Sequence, residues 1–151
     1  MREHRLCPCA PCEVGANLLG VVQPDGRLAY LPPGIGVDAE LSRAVRQNRP
    51  AEVAFRYSSR CLESLCLHWR DQSCAALDEV RTHLAGFART AELPACGIRS
   101  QCRWYAQAGE SACSVCPLVS SDLMALAEIP EVPEIPELDL APELEPALVA
   151  V

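Results

Sequence analysis

Residues 96–117 read CGIRSQCRWYAQAGESACSVCP, and residues 61–74 read CLESLCLHWRDQSC. These two cysteine runs hold seven of the ten cysteines in a chain of 151 residues. In each run a tryptophan follows shortly after the second cysteine, Trp69 in one and Trp104 in the other. Thiolates are soft ligands that suit zinc and iron–sulfur clusters. The two runs therefore predict a fold organised around a metal or cluster centre.

The second run supplies four thiolates, the usual number of ligands for an iron–sulfur cluster. They are Cys96, Cys102, Cys113 and Cys116. The ending Cys-x2-Cys-Pro is similar to that of bacterial ferredoxin runs, although the other separations are wider. We predict that these four cysteines bind a [4Fe–4S] cluster. In this hypothesis Trp104 and Tyr105 shield the cluster from water, while Arg99 and Arg103 offset its negative charge.

The first run offers a second set of ligands. Its members are Cys61, Cys66, Cys74 and His68. Three cysteines and one histidine would complete a zinc site or a second cluster, whereas three thiolates alone would leave one iron open to solvent. The alternative for His68 is an ordinary side chain that points at solvent.

Residues 4–12 read HRLCPCAPC and offer a third set. Its members are His4, Cys7, Cys9 and Cys12. They predict a local zinc site, with a half-site completed from elsewhere and a cysteine-rich end without a ligand as alternatives. Only Cys9/Cys12 and Cys113/Cys116 have the Cys-x2-Cys spacing that zinc sites favour, and these pairs could combine. An account with zinc alone leaves six cysteines unexplained, so zinc is the alternative to the cluster.

Local patterns predict an α+β fold for residues 1–120. Two apolar runs flank Pro24-Asp25-Gly26 and predict a β-hairpin. The remaining predictions are a helix from Asp38 to Asn48, a strand over 53–57, a helix over 75–88 with Leu77, Val80, Leu84 and Phe87 buried, and a short helix over 98–108 that Gly109 ends. A tight loop is expected to carry Cys113 and Cys116. The domain is thus a hairpin followed by a cysteine-rich helical half that metal binding stabilises.

Residues 121–151 hold eight acidic residues and no basic one, and they include three apolar-Pro-Glu triplets. This composition predicts a disordered, acidic Pro/Glu-rich tail, which alternatively docks onto a protein partner. Thirteen arginines against twelve acids leave residues 1–120 nearly neutral, so the chain lacks the basic face that nucleic-acid binding requires. No stretch reaches the ~20 apolar residues of a membrane helix.

Cytoplasmic location is the expectation for this chain. Its first residues are polar and charged, and no apolar run of signal-peptide length follows them. In a reducing compartment, dense cysteines indicate metal or redox chemistry more than structural disulfides. No catalytic triad, phosphate loop or dinucleotide fingerprint is present, so an enzyme is not expected. The sequence predicts an electron carrier or redox sensor that works with a protein partner, or else a zinc-stabilised interaction module.

Several motifs in the chain occur together in one group of proteins. They are CLHW at 66–69, CRWYAQAG at 102–109, ACSVCP at 112–117, LLG at 18–20 and PDG at 24–26. In these motifs, residues 7–120 resemble small cysteine-rich bacterial proteins that are common in cyanobacteria, uncharacterised, and sometimes labelled nitrogen-fixation proteins. The resemblance implies a bacterial cytosolic protein that uses cysteines as ligands. It carries no mechanism, and it does not cover the tail.

Overall fold

The computed structural model describes residues 4–47, 51–87 and 92–119, which form a mixed α+β structure, as predicted. The strands are β1 Leu6–Ala10, β2 Asn17–Val22, β3 Leu28–Tyr30, β4 Phe55–Arg60, β5 Trp69–Arg70 and β6 Ser73–Cys74. The helices are α1 Ala39–Val45, α2 Ala51–Ala54, α3 Ala75–Leu84, α4 Arg103–Ala108 and α5 Glu110–Val115. The predicted tail, residues 121–151, lies outside the described residues.

The predicted hairpin is confirmed. Strands β2 and β3 pair antiparallel, with Val22 opposite Leu28 and Gly20 opposite Tyr30. The Gly26 N–H donates to the Gln23 carbonyl, and Gly26 has the positive φ of +79° that closes the turn. Glycine reaches this left-handed conformation without the steric penalty of a side chain.

Strand β4 is a central strand of the sheet, whose order is β1-β4-β2-β3. The predicted strand over 53–57 is misplaced, because Val53 and Ala54 belong to α2 and β4 runs from Phe55 to Arg60. Strand β4 pairs with β1 on one side and β2 on the other, so its limits follow its partners rather than its own alternation. Tertiary pairing therefore overrides the local pattern.

Strand β1 was not predicted, because proline at its third position argues against a strand. Pro8 is tolerated because β1 is an edge strand of the sheet. The pairing with β4 changes register between Cys7, opposite Ser59, and Ala10, opposite Tyr57. Such a bulge re-aims side chains locally. The cysteine-rich start of the chain is thus part of the sheet and not a separate knuckle.

Helices α1 and α3 follow their predictions with shorter lengths. The Asp38 carboxylate accepts from the Leu41 N–H and caps α1, which ends at Val45. Leu77 on α3 is fully buried, as predicted, but Phe87 is 67% exposed. The α-helix ends at Leu84, and a 3-10 turn over Ala85–Phe87 follows. The tighter 3-10 winding carries Phe87 off the buried stripe.

The second cysteine run is more helical than predicted. A 3-10 turn over Arg99–Gln101 leads into α4, and Gly109, with φ +58°, ends that helix as predicted. The expected tight loop is wrong, because α5 begins at once and a 3-10 turn over Cys116–Leu118 extends it. Ala112 and Val115 on α5 are buried, so apolar packing stabilises this short helix.

Two apolar clusters form the core. The first contains Leu19, Leu77, Ile98, Cys102, Trp104, Ala112, Cys116 and Val119. The second contains Ala10, Cys12, Ala16, Val37, Ala51 and Tyr57. None of the helices in the described ranges combines the length and apolar character that crossing a bilayer requires.

Candidate functional site

Four elements of the second run bring its cysteines together. Cys96 precedes the 3-10 turn, and Cys102 stands directly before α4, where it forms a β-bridge with Leu6 of β1. Cys113 on α5 and Cys116 at its end are three residues apart, which places them on the same face of the helix. We call this set the pocket cysteines, namely Cys96, Cys102, Cys113 and Cys116.

All four pocket cysteines line one cavity between the sheet and the helices α4 and α5. Its other walls are largely apolar and are formed by Pro8, Leu19, Tyr30, Pro94, Ile98, Arg99, Trp104, Tyr105 and Ala112. The cavity volume is about 10 Å3, which is room for roughly one water molecule. The ligand set that the sequence predicts for a cluster therefore surrounds a single pocket.

Burial and mutual proximity hold the pocket thiols in their protonated form. Burial raises the pKa of Cys102 to about 12, and the nearby Cys116 and Cys96 thiols add to this shift. Burial also raises the pKa of Cys96 and of Cys113, again with Cys116 as a neighbour. Because each bound thiolate must lose its proton, a cation entering the pocket would release protons.

A buried arginine points at the pocket from β4. Arg56 is 1% exposed, and its Nη1 lies 3.9 Å from Cys116 Sγ and 3.3 Å from Cys9 Sγ. Its Nη2 donates to the Cys116 carbonyl at 3.2 Å. None of the ion pairs among the described residues includes Arg56. Burial acts to lower the pKa of Arg56, but negative charge on Cys9 and Cys116 outweighs burial and raises it.

The two arginines proposed from sequence have different surroundings. Arg99 lines the pocket, donates to the Pro94 carbonyl and lies beside Cys113, where it acts to lower the pKa of that thiol. Arg103 instead pairs with Glu63 and lies over the Trp69 ring, 4.9 Å from its centroid. Arg99 is thus placed to offset charge at the pocket, whereas Arg103 ties α4 to the first cysteine run.

The other predicted ligands are distributed differently from the sets in which the sequence grouped them. Cys7 lies near Cys9, Cys61 and Cys74, which come from two separate runs. Cys66 follows the 3-10 turn Glu63–Leu65, and the half-buried His68 accepts from the Ala75 N–H through its carbonyl.

The remaining members of the N-terminal set lie apart from the pocket cysteines. His4 is exposed, and Cys12 is buried in the second apolar cluster. The Cys12 thiol lies 4.0 Å from Ser42 Oγ. The structure therefore does not gather His4, Cys7, Cys9 and Cys12 into a local site, and the combined Cys9/Cys12 and Cys113/Cys116 site gains no support from it.

The geometry was tested for a single bound ion. Zinc holds thiolates about 2.3 Å from a common point. Within residues 4–47, 51–87 and 92–119, no three His, Cys, Asp or Glu side chains are arranged to hold one metal ion. All ten cysteines lie in these ranges, and no disulfide bond joins any of them. The ligand assignments from sequence stay predictions.

Sequence reasoning missed two residues that the structure places at the pocket. Arg56 stands between Phe55 and Tyr57, and an arginine inside a β-strand with aromatic neighbours was the available signal for its burial. Tyr30 ends β3 and lines the pocket. Burial, with the neighbouring Cys116 thiol, raises the pKa of Tyr30, so its hydroxyl stays protonated. Neither residue lies near the pocket cysteines in sequence.

Neither a family model, nor a curated protein, nor a solved structure matches the chain. The resemblance to small cysteine-rich cyanobacterial proteins therefore stays a prediction.

Proposed function

We propose that the protein is a small iron–sulfur protein for electron transfer or redox sensing, with a [4Fe–4S] cluster bound by the pocket cysteines. The observation that carries this proposal is the convergence of all four cysteines of the second run on one apolar pocket. Four thiolates in an enclosed, largely apolar setting are the ligands that iron–sulfur clusters use.

The spacing of the thiols favours a cluster over a single ion. Sulfurs that close around zinc at about 2.3 Å leave no room for a water-sized body between them. The pocket has such room, and no three potential ligands among the described residues surround one point closely enough for an ion. A centre of several iron and sulfide atoms spans wider gaps between thiolates.

The charge of Arg56 supports an anionic occupant. A guanidinium that is 1% exposed has lost its hydration, and a buried charge requires compensation. Thiols at Cys9 and Cys116 provide none while they stay protonated. A thiolate-ligated cluster carries negative charge and would supply the missing counter-charge beside Arg56 Nη1.

The cluster would supply one-electron chemistry when bound. The chain's own residues would set its properties, because burial and hydrogen bonds to sulfur tune the potential of such centres. Trp104, which is 3% exposed, and the half-buried Tyr105 form walls that exclude water. No step of an enzymatic reaction is assigned to the protein. We place it in the cytoplasm with a protein partner, for which the acidic tail, residues 121–151, is the proposed binding segment.

Metal binding would also contribute to folding. Cys102 and Cys116 are themselves core residues of the first apolar cluster. Thiolate–metal binding supplies roughly 10–16 kcal/mol in small zinc peptides, more than the net stability of a typical domain. The second candidate is a zinc-stabilised interaction module, which the Cys113-x2-Cys116 spacing favours.

Substitution of Cys113 by serine tests the ligand set. We expect Cys113→Ser, purified without oxygen, to lose most of its iron, sulfide and visible absorbance, because serine replaces one of four thiolates. Cys12→Ser is the matched control, since Cys12 is a buried thiol in the other apolar cluster, and it should keep its iron. Iron that is unchanged in Cys113→Ser would reject the ligand set, and stoichiometric zinc without iron would favour the interaction module.

A further inference from the structure

The structure places a second group of thiols beside the first, drawn from the chain's N-terminus and from the first cysteine run. We call them the strand cysteines, namely Cys7, Cys9, Cys61 and Cys74. The sequence assigned Cys7 and Cys9 to one set and Cys61 and Cys74 to another. The fold joins these two sets and separates Cys7 and Cys9 from Cys12.

Strand pairing brings Cys7 and Cys61 together. Cys7 of β1 is opposite Ser59 of β4, and the Cys61 N–H donates to the Arg5 carbonyl at 2.8 Å, which extends the ladder past the end of β4. Side chains alternate along a strand, so Cys61 lies on the same face as Ser59 and therefore as Cys7. Diagonal neighbours of this kind are about 7–8 Å apart.

Helix α4 holds Cys74 near this edge of the sheet. The Cys74 N–H donates to Gln107 Oε1 at 2.8 Å, and Gln107 Nε2 donates to the Cys74 carbonyl at 3.1 Å. Helix α4 packs on β1 through the bridge between Leu6 and Cys102 at its start. One side chain, Gln107, thus fixes the backbone of Cys74 on the helix that contacts the strand of Cys7 and Cys9.

The four thiols act on one another electrostatically. Burial raises the pKa of Cys7 to about 12, with contributions from Cys9 first and then from Cys61 and Cys74. Cys9 is also the thiol 3.3 Å from Arg56 Nη1, whose other thiol neighbour is Cys116 of the pocket set. The strand cysteines therefore form a compact group that meets the pocket cysteines at a shared cation.

We infer that the strand cysteines form a second iron–sulfur site, separated from the first by Arg56. This inference rests on the proposed function, because it assigns the same class of cofactor. No three of the described ligand-type side chains are spaced for a single ion, so a multi-atom cluster is the occupant that spans the group. Each thiol would lose its proton to become a ligand, and the Arg56 guanidinium would face a thiolate of each site.

Anaerobic reconstitution with ferrous iron and sulfide tests the second site. The full-length protein should bind two clusters. Cys7→Ser/Cys61→Ser and Cys96→Ser/Cys113→Ser should each retain about half of the wild-type iron and sulfide, and Cys12→Ser should retain all of it. Wild-type iron content in Cys7→Ser/Cys61→Ser would overturn the second site, and so would complete loss of iron in both double variants, since that result indicates one centre.

Alkylation of the wild-type protein is a second readout that does not depend on the folding of a variant. Mass spectrometry should find the four strand cysteines protected in the loaded protein and alkylated after chelation of iron. Cys66 is half-buried like Cys61 and is the matched control, which should be alkylated in both states. Protection of Cys66 in place of Cys7 and Cys9 would overturn the assignment.

Failure of the two proposals can be told apart. If the wild-type protein takes up no iron, the proposed function itself fails. If it takes up one cluster that the pocket variant loses and the strand variant keeps, the proposed function stands and the second site is rejected.

Discussion

At the scale of single residues, Arg56 is the group whose placement is hardest to explain without an anion. It lies inside the sheet at 1% exposure, and its nearest side-chain partners are the sulfurs of Cys9 and Cys116. A carbonyl from Pro8 and another from Cys116 accept further hydrogen bonds, but they carry no charge. The guanidinium therefore has a ready electrostatic role only when thiolates or a cluster are present.

Replacing Arg56 should shift the reduction potential of the bound cluster. A positive charge at roughly 7 Å with an effective dielectric of ~20 stabilises an added electron by about 2 kcal/mol, which is on the order of 100 mV for one electron. We expect a more negative potential in Arg56→Met, measured by redox titration of the loaded protein. Arg56→Lys keeps the charge and should restore most of the shift.

The exposed Arg43 on α1 provides the control for this measurement. Arg43→Met removes the same charge far from the pocket lining and should leave the potential within error of wild type, because exposed charges are screened. Equal potentials in Arg56→Met and wild type would contradict the assigned role of Arg56.

At the scale of elements, the site depends on short segments that tertiary contacts hold in place. Helices α4 and α5 have six residues each, too few to be stable alone, and β6 has two. Gln107 joins α4 to β6 through both backbone groups of Cys74. The α4 residue thus connects the second cysteine run to the first.

Removing this connection should lower stability. Gln107→Ala leaves the partly buried N–H and carbonyl of Cys74 without their partner, and a lost interaction of this kind costs about 1–3 kcal/mol. We expect a lower urea midpoint for Gln107→Ala under reducing conditions. Gln101→Ala changes an exposed glutamine in the adjacent 3-10 turn and should stay within about 0.5 kcal/mol of wild type. Identical midpoints for the two variants would contradict this role of Gln107.

Elements with strong local signals were predictable from sequence. The Pro-Asp-Gly turn, the Asp38 cap and the Gly109 stop each depend on backbone chemistry within a few residues, and all three are present. Strand β1 was not predictable, because a proline inside it reads as a break until its edge position is known. Helix α5 was missed because the Cys-x2-Cys spacing suggested a loop.

The candidate site was predictable only in part, for the same reason. Each cysteine run could be recognised by its spacing, and the second run does line one pocket. Which thiols from different runs become neighbours depends on strand pairing between residues more than fifty positions apart, as for Cys7 and Ser59. Local sequence patterns carry no information on such pairing. The burial of Arg56 follows from the same long-range pairing.

At the scale of the whole molecule, β4 separates two different interiors. Tyr57 belongs to the second apolar cluster, where Cys12 is an ordinary buried thiol. Arg56, the preceding residue, points to the opposite face and to the pocket, as alternation along a strand requires. The first cluster includes Cys102 and Cys116 and has Cys9, Cys74 and Cys96 packed against it. Thiols thus form much of one half of the interior, and that half would depend on a bound centre for its stability.

The central claim is that thiolates from distant parts of the chain hold an iron–sulfur centre in the folded protein. Its most direct test is analysis of iron, acid-labile sulfide and visible absorbance in the wild-type protein, purified without oxygen and without reconstitution. We predict a coloured protein that contains iron and sulfide in equal amounts. A colourless protein that is fully folded and contains no iron would contradict the claim.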